Sequence, residues 1–150
     1  AALEGISAKR RITLVGCGGD RDQKKRPLMA VAAARASGLA VFTSDNPRTE
    51  DPLVILEQMR HGALEAGEPE LTLEQAAAGV SGFVIIPDRR QAIEFATNLS
   101  ATGDLLLVAG KGHEDYQVLG ATKVHFDDRE ELRRAFSGKT KLRGSNEIRS

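Results

Sequence analysis

Short apolar runs alternate along the chain with longer stretches in which apolar residues recur at helical spacing. The runs at 12–16, 39–43, 83–86 and 104–109 have the length of buried strands. The intervening apolar positions are Leu28, Met29, Ala32 and Ala36, then Leu53, Leu56, Met59 and Ala63, then Ala92, Ile93 and Ala96. Strands that alternate with helices predict an α/β fold: a mostly parallel, Rossmann-like sheet with helices on both faces.

Local signals predict where several helices begin. Pro27 is at the position of a first helical residue, and Pro52 is in the same position after Asp51, whose carboxylate can cap the helix. Thr72 and Gln75 have the spacing of a capping box, which predicts a short helix that ends near residue 78.

The C-terminal part of the chain departs from the alternating pattern. Residues 116–119 and 123–126 flank a short glycine-containing turn, so they predict an edge hairpin or an antiparallel strand. Asp127 and Glu130 then predict the start of a last helix with Leu132 and Phe136 on its apolar side. Residues 138–150 are polar, which predicts a disordered tail and a domain over 1–137.

Composition limits the function classes. The length of 150 residues fits one domain, and 21 basic residues balance 21 acidic ones, so no overall basic field favours nucleic acid or an anionic membrane as a partner. The apolar runs are shorter than the roughly 20 residues that span a bilayer. The N-terminus lacks the pattern of a signal peptide, and the single cysteine, Cys17, excludes an internal disulfide and fits a reducing compartment.

The loops that follow the predicted strands contain the unusual residues of the chain. They are residues 16–26, 44–51, 87–90 and 110–115. Ligands of parallel α/β sheets collect at the carboxyl ends of the strands, so these loops are the predicted ligand edge.

The loop at 44–52 has the most specific chemistry. Its two prolines restrict the backbone, so the loop is expected to be stiff. Asp45 can accept an ammonium group and Arg48 can hold a carboxylate through two parallel hydrogen bonds, which together suit a zwitterionic ligand. A helix-starting turn with incidental charges is the alternative interpretation.

The other loops allow more than one interpretation. The glycines at 16, 18 and 19 do not complete a dinucleotide fingerprint, because Arg21 stands where the third glycine belongs, so they serve either turn geometry or ligand approach. Residues 20–26 carry both signs of charge at the ligand edge. They can contact a ligand or form a solvated loop with weak surface ion pairs. Near residue 111 a lysine between glycines suits an anion, and His113 and Glu114 can donate, accept or bind metal.

Two further kinds of site are disfavoured. His61, His113 and His125 have no spacing typical of a metal centre, so no metal site is predicted in this chain. Cys17 is predicted to be a small buried residue instead of a nucleophile, because the sequence offers no positioned base. The Gly-Lys-Thr at 138–140 lacks the leading glycine of a phosphate-binding loop, since Arg133 occupies that position.

Five blocks, in order and spacing, resemble the third, C-terminal domain of the UDP-N-acetylmuramoyl-tripeptide synthetases in the Mur ligase family. The blocks are GCGGDRDQKKRPLM at 16–29, TSDNPRTEDP at 43–52, PDRRQAI at 87–93, AGKGHEDYQ at 109–117 and FDDRE at 126–130. The resemblance covers residues 1–136, and it implies that the family's hinge strand, with its Asp-Tyr-Ala-His-Thr-Pro motif, precedes Ala1. It also implies ATP-dependent joining of an amino acid to UDP-N-acetylmuramoyl-L-alanyl-D-glutamate, in cytoplasmic peptidoglycan synthesis.

The resemblance also implies roles for individual residues. The implied amino-acid site consists of Arg26, Asp45, Asn46, Arg48, Gly110 and Glu114, and the implied nucleotide or structural loop contacts are Asp20, Arg21, Lys111 and His113. An arginine at position 48 is the family's mark for meso-diaminopimelate, as opposed to lysine. This agrees with the extra carboxylate of diaminopimelate, which would pair with the guanidinium.

The resemblance implies that ATP, Mg²⁺ and most of the UDP-N-acetylmuramoyl-dipeptide are bound by domains that this chain lacks. We therefore expect no catalytic residue here and no ligation by the isolated chain. A noncatalytic Mur ligase-like scaffold of plastid transcription complexes, located in the stroma, is the alternative, and a free-standing amino-acid-binding module is a third. The sequence upstream of Ala1 would distinguish enzyme from scaffold.

Overall fold

The computed structural model describes residues 9–109, 114, 116–119 and 122–149. The strands are β1 (Arg11–Cys17), β2 (Leu39–Ser44), β3 (Gly82–Ile85), β4 (Leu105–Ala109), β5 (Tyr116–Leu119) and β6 (Thr122–His125). The helices are α1 (Lys25–Ala36), α2 (Pro52–Glu65), α3 (Leu73–Ala77), α4 (Arg89–Leu99) and α5 (Asp128–Arg149).

The main sheet has four parallel strands in the order β3-β2-β1-β4. β1 pairs with β2 on one side, up to Cys17 opposite Ser44, and with β4 on the other, up to Val15 opposite Ala109. The chain thus moves outward from β1 to β3 and then crosses back to β4. Strand order reverses beside β1, and in open α/β sheets such a reversal opens a crevice at the carboxyl ends of the strands.

Helices cover both faces of this sheet, as the sequence predicts. On one face α1 and α2 pack on Val15, Phe42 and Phe83, and the two phenylalanine rings stack with their centroids 4.9 Å apart. On the other face α4 and the start of α5 pack on Leu14 and Val41. Burial on both faces explains why β1 and β2 are almost continuously apolar.

The prediction of which residues form the buried face of α1 is wrong. Leu28 and Met29 are 68% and 39% exposed and Ala32 is also exposed, while Ala30, Ala33 and Ala34 are buried. The helix also begins at Lys25, so Pro27 is its third residue and not its first. α1 lies against α2 so closely that a Cβ on Gly62 would come within 2.3 Å of the Pro27 Cβ, and only small side chains fit such a contact.

The other helix predictions hold with two exceptions, of which one is Phe136 in α5, predicted on the apolar side of the helix but 42% exposed. Asp51 accepts a hydrogen bond from the Leu53 N–H and Pro52 opens α2, while Thr72 and Gln75 form the complete capping box of α3. The Leu53 side chain, however, is 59% exposed, and Ile55 takes its place in the core.

The C-terminal hairpin is present and antiparallel, with Tyr116 opposite His125 and Leu119 opposite Thr122. Its strands form a two-stranded sheet of their own. Asp127 accepts a hydrogen bond from the Arg129 N–H at the start of α5. The helical backbone continues to Arg149, through residues predicted to be a disordered tail, so the predicted boundary at 137 falls inside α5. Proline is absent from this segment, and its lysines and arginines have good helix propensity.

Within the described part of the chain, no helix is both long enough and apolar enough to cross a bilayer.

Candidate functional site

A cavity of about 410 Å³ opens at the carboxyl ends of β1 and β2. Its lining residues are Gly16, Cys17, Gly18, Arg21, Asp22, Lys25, Arg26, Met29, Asp45, Arg48 and Glu114. Five residues of the sequence-predicted site lie together here, namely Arg21, Arg26, Asp45, Arg48 and Glu114. Four cations and three carboxylates line one cavity, an arrangement that suits a ligand with charges of both signs.

The loop between β2 and α2 has a defined backbone with one unusual conformation. Asp45 and Asn46 are buried, and Arg48 has a φ of +52°. Few non-glycine residues adopt this left-handed region, and those that do are held there by their surroundings. The loop that the prolines predict to be stiff therefore holds Arg48, at the cavity wall, in a strained backbone conformation.

The glycines after β1 allow the two loops to touch. The Gly19 N–H donates to the Asn46 carbonyl at 2.7 Å, and a Cβ on Gly19 would lie only 1.8 Å from the Pro47 carbonyl oxygen. At Gly18 a Cβ would lie 3.0 Å from the Arg48 Nη1. Gly19 thus serves contact between loops, while Gly18 lines the cavity.

Arg48 has donors left over after its contacts with the backbone. Its Nη1 donates to the Gly19 carbonyl at 3.0 Å and to the Asn46 carbonyl at 3.3 Å. Its Nε and Nη2 have no hydrogen-bond partner among the described residues. A half-buried guanidinium that is held on one side and open on the other can bind a carboxylate.

Arg26 lies in the cavity wall but is occupied by other groups. It is 1% exposed, and its Nη atoms donate to both Glu50 carboxylate oxygens at 3.1 and 2.5 Å, to the Gln58 Oε1 at 2.8 Å and to the Gly18 carbonyl at 2.9 Å. Only its buried Nε lacks a partner among the described residues. Arg26 therefore braces the loops around the cavity, and its contact with a ligand stays a prediction.

Glu50, in the loop between β2 and α2, is the ion-pair partner of Arg26. Its carboxylate also accepts the Asp20 N–H at 2.6 Å. The hydrogen bond from Arg26, and then that from the Asp20 backbone, hold the pKa of Glu50 below its ordinary value. The sequence interpretation gave Glu50 no role, although it lies within the block at 43–52 that carries the resemblance.

Asp20 and Arg21 have different roles: Asp20 has structural contacts, and Arg21 faces the cavity. The Asp20 carboxylate accepts the Thr49 hydroxyl at 2.7 Å, and its backbone has a left-handed φ of +54°. The Arg21 side chain lines the cavity, and its Nη1 donates to the Asp20 carbonyl at 3.1 Å. The structural alternative for Asp20 is thus the one that its contacts favour.

Glu114 and the start of β5 contact the loop that carries Arg48. The Asn46 Nδ2 donates to the Glu114 Oε2 at 3.3 Å, and the Gln117 Nε2 donates to the Asp45 carbonyl at 2.8 Å. A hydrogen bond with the Glu114 carboxylate raises the pKa of the Tyr116 hydroxyl. Tyr116 and Gln117 were missed from the sequence, because only their pairing with a distant loop reveals their role.

Three predicted site residues, Gly110, Lys111 and His113, lie outside the described residues. Among the residues that are described, no group of three or more His, Cys, Asp or Glu side chains is arranged to hold a metal ion.

Cys17 is buried at the base of the cavity. Burial raises the pKa of its thiol to about 11, against an opposing effect of the Arg26 charge. Its Sγ lies 3.8 Å from the Met29 Sδ. At neutral pH the residue is therefore a neutral thiol with little nucleophilic character.

Comparison with known proteins identifies the family. The Mur ligase, glutamate ligase domain family matches residues 1–112. The chain belongs to the Mur ligase family. This domain is 49% identical over 133 residues to the UDP-N-acetylmuramoyl-L-alanyl-D-glutamate--2,6-diaminopimelate ligase of Geobacter metallireducens, with 87% of the chain and 26% of the relative covered.

Two further comparisons agree with this Mur ligase assignment. The ligase of the same name from Geobacillus thermodenitrificans is 49% identical over 129 residues, which cover 85% of the chain and 24% of the relative. A solved structure of a UDP-N-acetylmuramoyl-L-alanyl-D-glutamate--2,6-diaminopimelate ligase matches with a TM-score of 0.76 at 37% identity, over 92% of the chain and 26% of that protein. The resemblance carried by the five sequence blocks is confirmed. The chain spans about a quarter of the length of these relatives.

Proposed function

We propose that this chain is the amino-acid-selecting domain of a diaminopimelate-adding Mur ligase and that its cavity binds meso-diaminopimelate. The observation that carries the proposal is the geometry of Arg48, whose guanidinium is fixed on one side and open on the other beside the acidic side chains of Asp45 and Glu114. The names of the relatives in both organisms support the same substrate.

The charges of the cavity match those of this ligand. Diaminopimelate has two ammonium groups and two carboxylates, so it needs acceptors and cationic donors in one site. Arg48 offers paired donors for the distal carboxylate, and Asp45 and Glu114 offer acceptors for the distal ammonium. A volume of about 410 Å³ is within the range of small-molecule sites.

The same geometry gives selectivity over lysine. Lysine lacks the distal carboxylate, so its binding would leave the half-buried guanidinium of Arg48 without that partner. An unsatisfied buried donor costs about 1 to 3 kcal/mol, which corresponds to roughly tenfold to a hundredfold in affinity. Selection in this proposal therefore depends on one arginine and on the loop that fixes it.

The contribution of the domain to ligation is positional. In this proposal ATP, Mg²⁺ and the UDP-N-acetylmuramoyl-dipeptide bind to other parts of a cytoplasmic ligase, as the family resemblance implies. The domain would hold the amino acid with its amine directed at the activated carboxyl group, and such orientation alone lowers a barrier substantially. We accordingly expect the isolated chain to form no tripeptide product.

A noncatalytic scaffold is disfavoured by the charged lining of the cavity. A scaffold has no need of a braced arginine beside two carboxylates, and the relatives described above are named as ligases. The scaffold remains an outcome of the experiment that follows.

Calorimetry on the intact ligase that carries this domain tests the proposal. The unmodified protein should bind meso-diaminopimelate in preference to L-lysine, and Arg48→Ala should weaken diaminopimelate binding about tenfold to a hundredfold and remove the preference. Arg60→Ala is a matched control, since Arg60 forms exposed ion pairs with Glu57 and Glu70 away from the cavity. Unchanged affinity in Arg48→Ala would overturn the assignment, and absence of binding by the unmodified protein would favour the scaffold.

A further inference from the structure

Arg89, the first residue of α4, has its side chain fully buried beneath the carboxyl edge of the sheet. Its Nη1 donates to the Ser44 carbonyl at 3.0 Å, and its Nη2 donates to the Ala109 carbonyl at 3.2 Å. Its Nε and Nη2 also form a bidentate pair with the Asp128 carboxylate, both at 2.7 Å. One guanidinium therefore joins the ends of two strands and the first turn of α5.

The two strand ends that Arg89 contacts are not neighbours in the sheet. β1 lies between β2 and β4, so no backbone ladder fixes the distance between Ser44 and Ala109 directly. Ser44 immediately precedes Asp45 and the loop that carries Arg48. Ala109 ends the strand that leads into the segment containing Glu114. Arg89 thus connects the residue that precedes the Arg48 loop with the last residue of β4.

The ion pair with Asp128 keeps this guanidinium in place. The Arg89 side chain is 0% exposed and that of Asp128 is 15% exposed, so the cation has little access to water. A buried charge that loses its partner is strongly unfavourable, which means that Asp128 is needed for Arg89 to stay where it is. Asp128 also lies in the first turn of α5, where a helix favours negative charge.

Further contacts connect the Arg48 loop with Glu114 and β5. Asn46 is hydrogen-bonded to Glu114, and the Gln117 side chain reaches the Asp45 carbonyl. These contacts are partly exposed, whereas the Arg89 side chain is buried. The Arg48 loop is therefore held both at its first residues, through Arg89, and at Asp45 and Asn46, through Gln117 and Glu114.

We propose that the Arg89–Asp128 pair is a positioning element that fixes the start of the Arg48 loop against the end of β4, and thereby sets the affinity for the amino acid. The proposal rests on the function proposed above. Neither residue lines the cavity, so both act through the residues that do. A misplacement of about 1 Å at a reacting or binding group can cost on the order of a hundredfold in rate, so a small shift at this pair has a large expected effect.

Asp128→Asn and Arg89→Lys in the intact ligase test this role. Each should raise the KM for meso-diaminopimelate about tenfold to a hundredfold and leave the KM for ATP unchanged. The matched control is Arg90→Lys, because Arg90 forms a bidentate pair with Glu131 between the same two helices, is half-exposed, and donates to no strand-end carbonyl among the described residues. If either variant fails to fold, Asp128→Glu keeps the charge and provides a milder displacement.

A double substitution separates positioning from general loss of stability. If Asp128 acts through the Arg48 loop, adding Asp128→Asn to Arg48→Ala should cost much less than Asp128→Asn costs alone. The proposal is overturned if the effects of Asp128→Asn and Arg48→Ala on the diaminopimelate KM are fully additive. It is also overturned if Asp128→Asn has the same diaminopimelate KM as the Arg90→Lys control, even where Asp128→Asn lowers the unfolding midpoint.

Hydrogen exchange gives a readout that does not depend on the substrate. Amides of residues 44–51 and the end of β4 should exchange faster in Asp128→Asn than in Arg90→Lys. If the unmodified ligase does not use diaminopimelate, the proposed function fails, and this measurement still decides whether Arg89 fixes the two segments. Equal exchange in the two variants would show that it does not.

Discussion

Replacement of Gly19 by alanine gives a sharp test of how the two cavity loops meet. The new Cβ would lie 1.8 Å from the Pro47 carbonyl oxygen and 2.5 Å from the carbonyl carbon. Both are backbone atoms, so no side-chain rotation can relieve the contact. The loops would have to separate by more than 1 Å to reach an ordinary van der Waals distance, and the 2.7 Å hydrogen bond from Gly19 to Asn46 would be lost.

The magnitude follows from these two losses. Forced separation of packed groups costs about 1 to 3 kcal/mol and an unsatisfied buried polar group a similar amount, so we expect a loss of about 2 to 5 kcal/mol in the free energy of unfolding. With a urea dependence of about 1.5 kcal/mol per M, the unfolding midpoint should fall by roughly 1 to 3 M. Binding of diaminopimelate should weaken as well, because Arg48 rests on the Gly19 carbonyl.

Two other glycines are matched controls in the same urea titration followed by circular dichroism. A Cβ on Gly18 would meet the Arg48 Nη1 at 3.0 Å, a side-chain contact that a shift of a few tenths of an ångström relieves, so Gly18→Ala should cost less than Gly19→Ala. A Cβ on Gly138, in α5, meets nothing within 4 Å, so Gly138→Ala should stabilise the helix by about 0.5 to 1 kcal/mol. A Gly19→Ala midpoint equal to that of the unmodified chain, or to that of Gly18→Ala, would refute the reasoning.

Two further predictions concern titratable groups around the cavity. The pKa of Glu50 is lowered from 4.5 in the folded protein, so its contribution to stability is present above pH 4.5 and disappears as the pH falls through the lower folded pKa. Glu50→Gln should therefore flatten the acid limb of the curve of unfolding free energy against pH. An unchanged acid limb would contradict the pairing with Arg26. The raised pKa of Cys17, about 11, predicts slow alkylation by iodoacetamide at pH 8 in the folded protein and fast alkylation in urea, and equal rates would contradict its burial.

Features fixed by neighbouring residues could be predicted from the sequence. Asp51 with Pro52 and Thr72 with Gln75 start their helices as expected, because a cap depends only on a few adjacent residues. The alternation of strands and helices likewise predicts the parallel sheet. Leu28 was misassigned because the face that α1 buries is set by its close packing against α2, which helical periodicity alone does not reveal.

Partners that are distant in the chain account for the rest of the site. Arg26 donates through both of its Nη atoms to Glu50, 24 residues away, a pairing that the sequence did not indicate. Arg89 lies in a block that carries the family resemblance, yet its role depends on Asp128, 39 residues further on. Such ion pairs form only after the chain has folded, so residue types and spacing cannot assign them.

The left-handed backbone at Arg48 restricts how the specificity of this domain can evolve. At a φ of +52°, glycine, asparagine and aspartate are tolerated, whereas β-branched residues such as valine, isoleucine and threonine are strongly disfavoured. A lineage that changes its amino acid through this position must therefore choose from a short set of side chains, or first rebuild the turn around Pro47. The backbone thus filters which substrates a single mutation can reach.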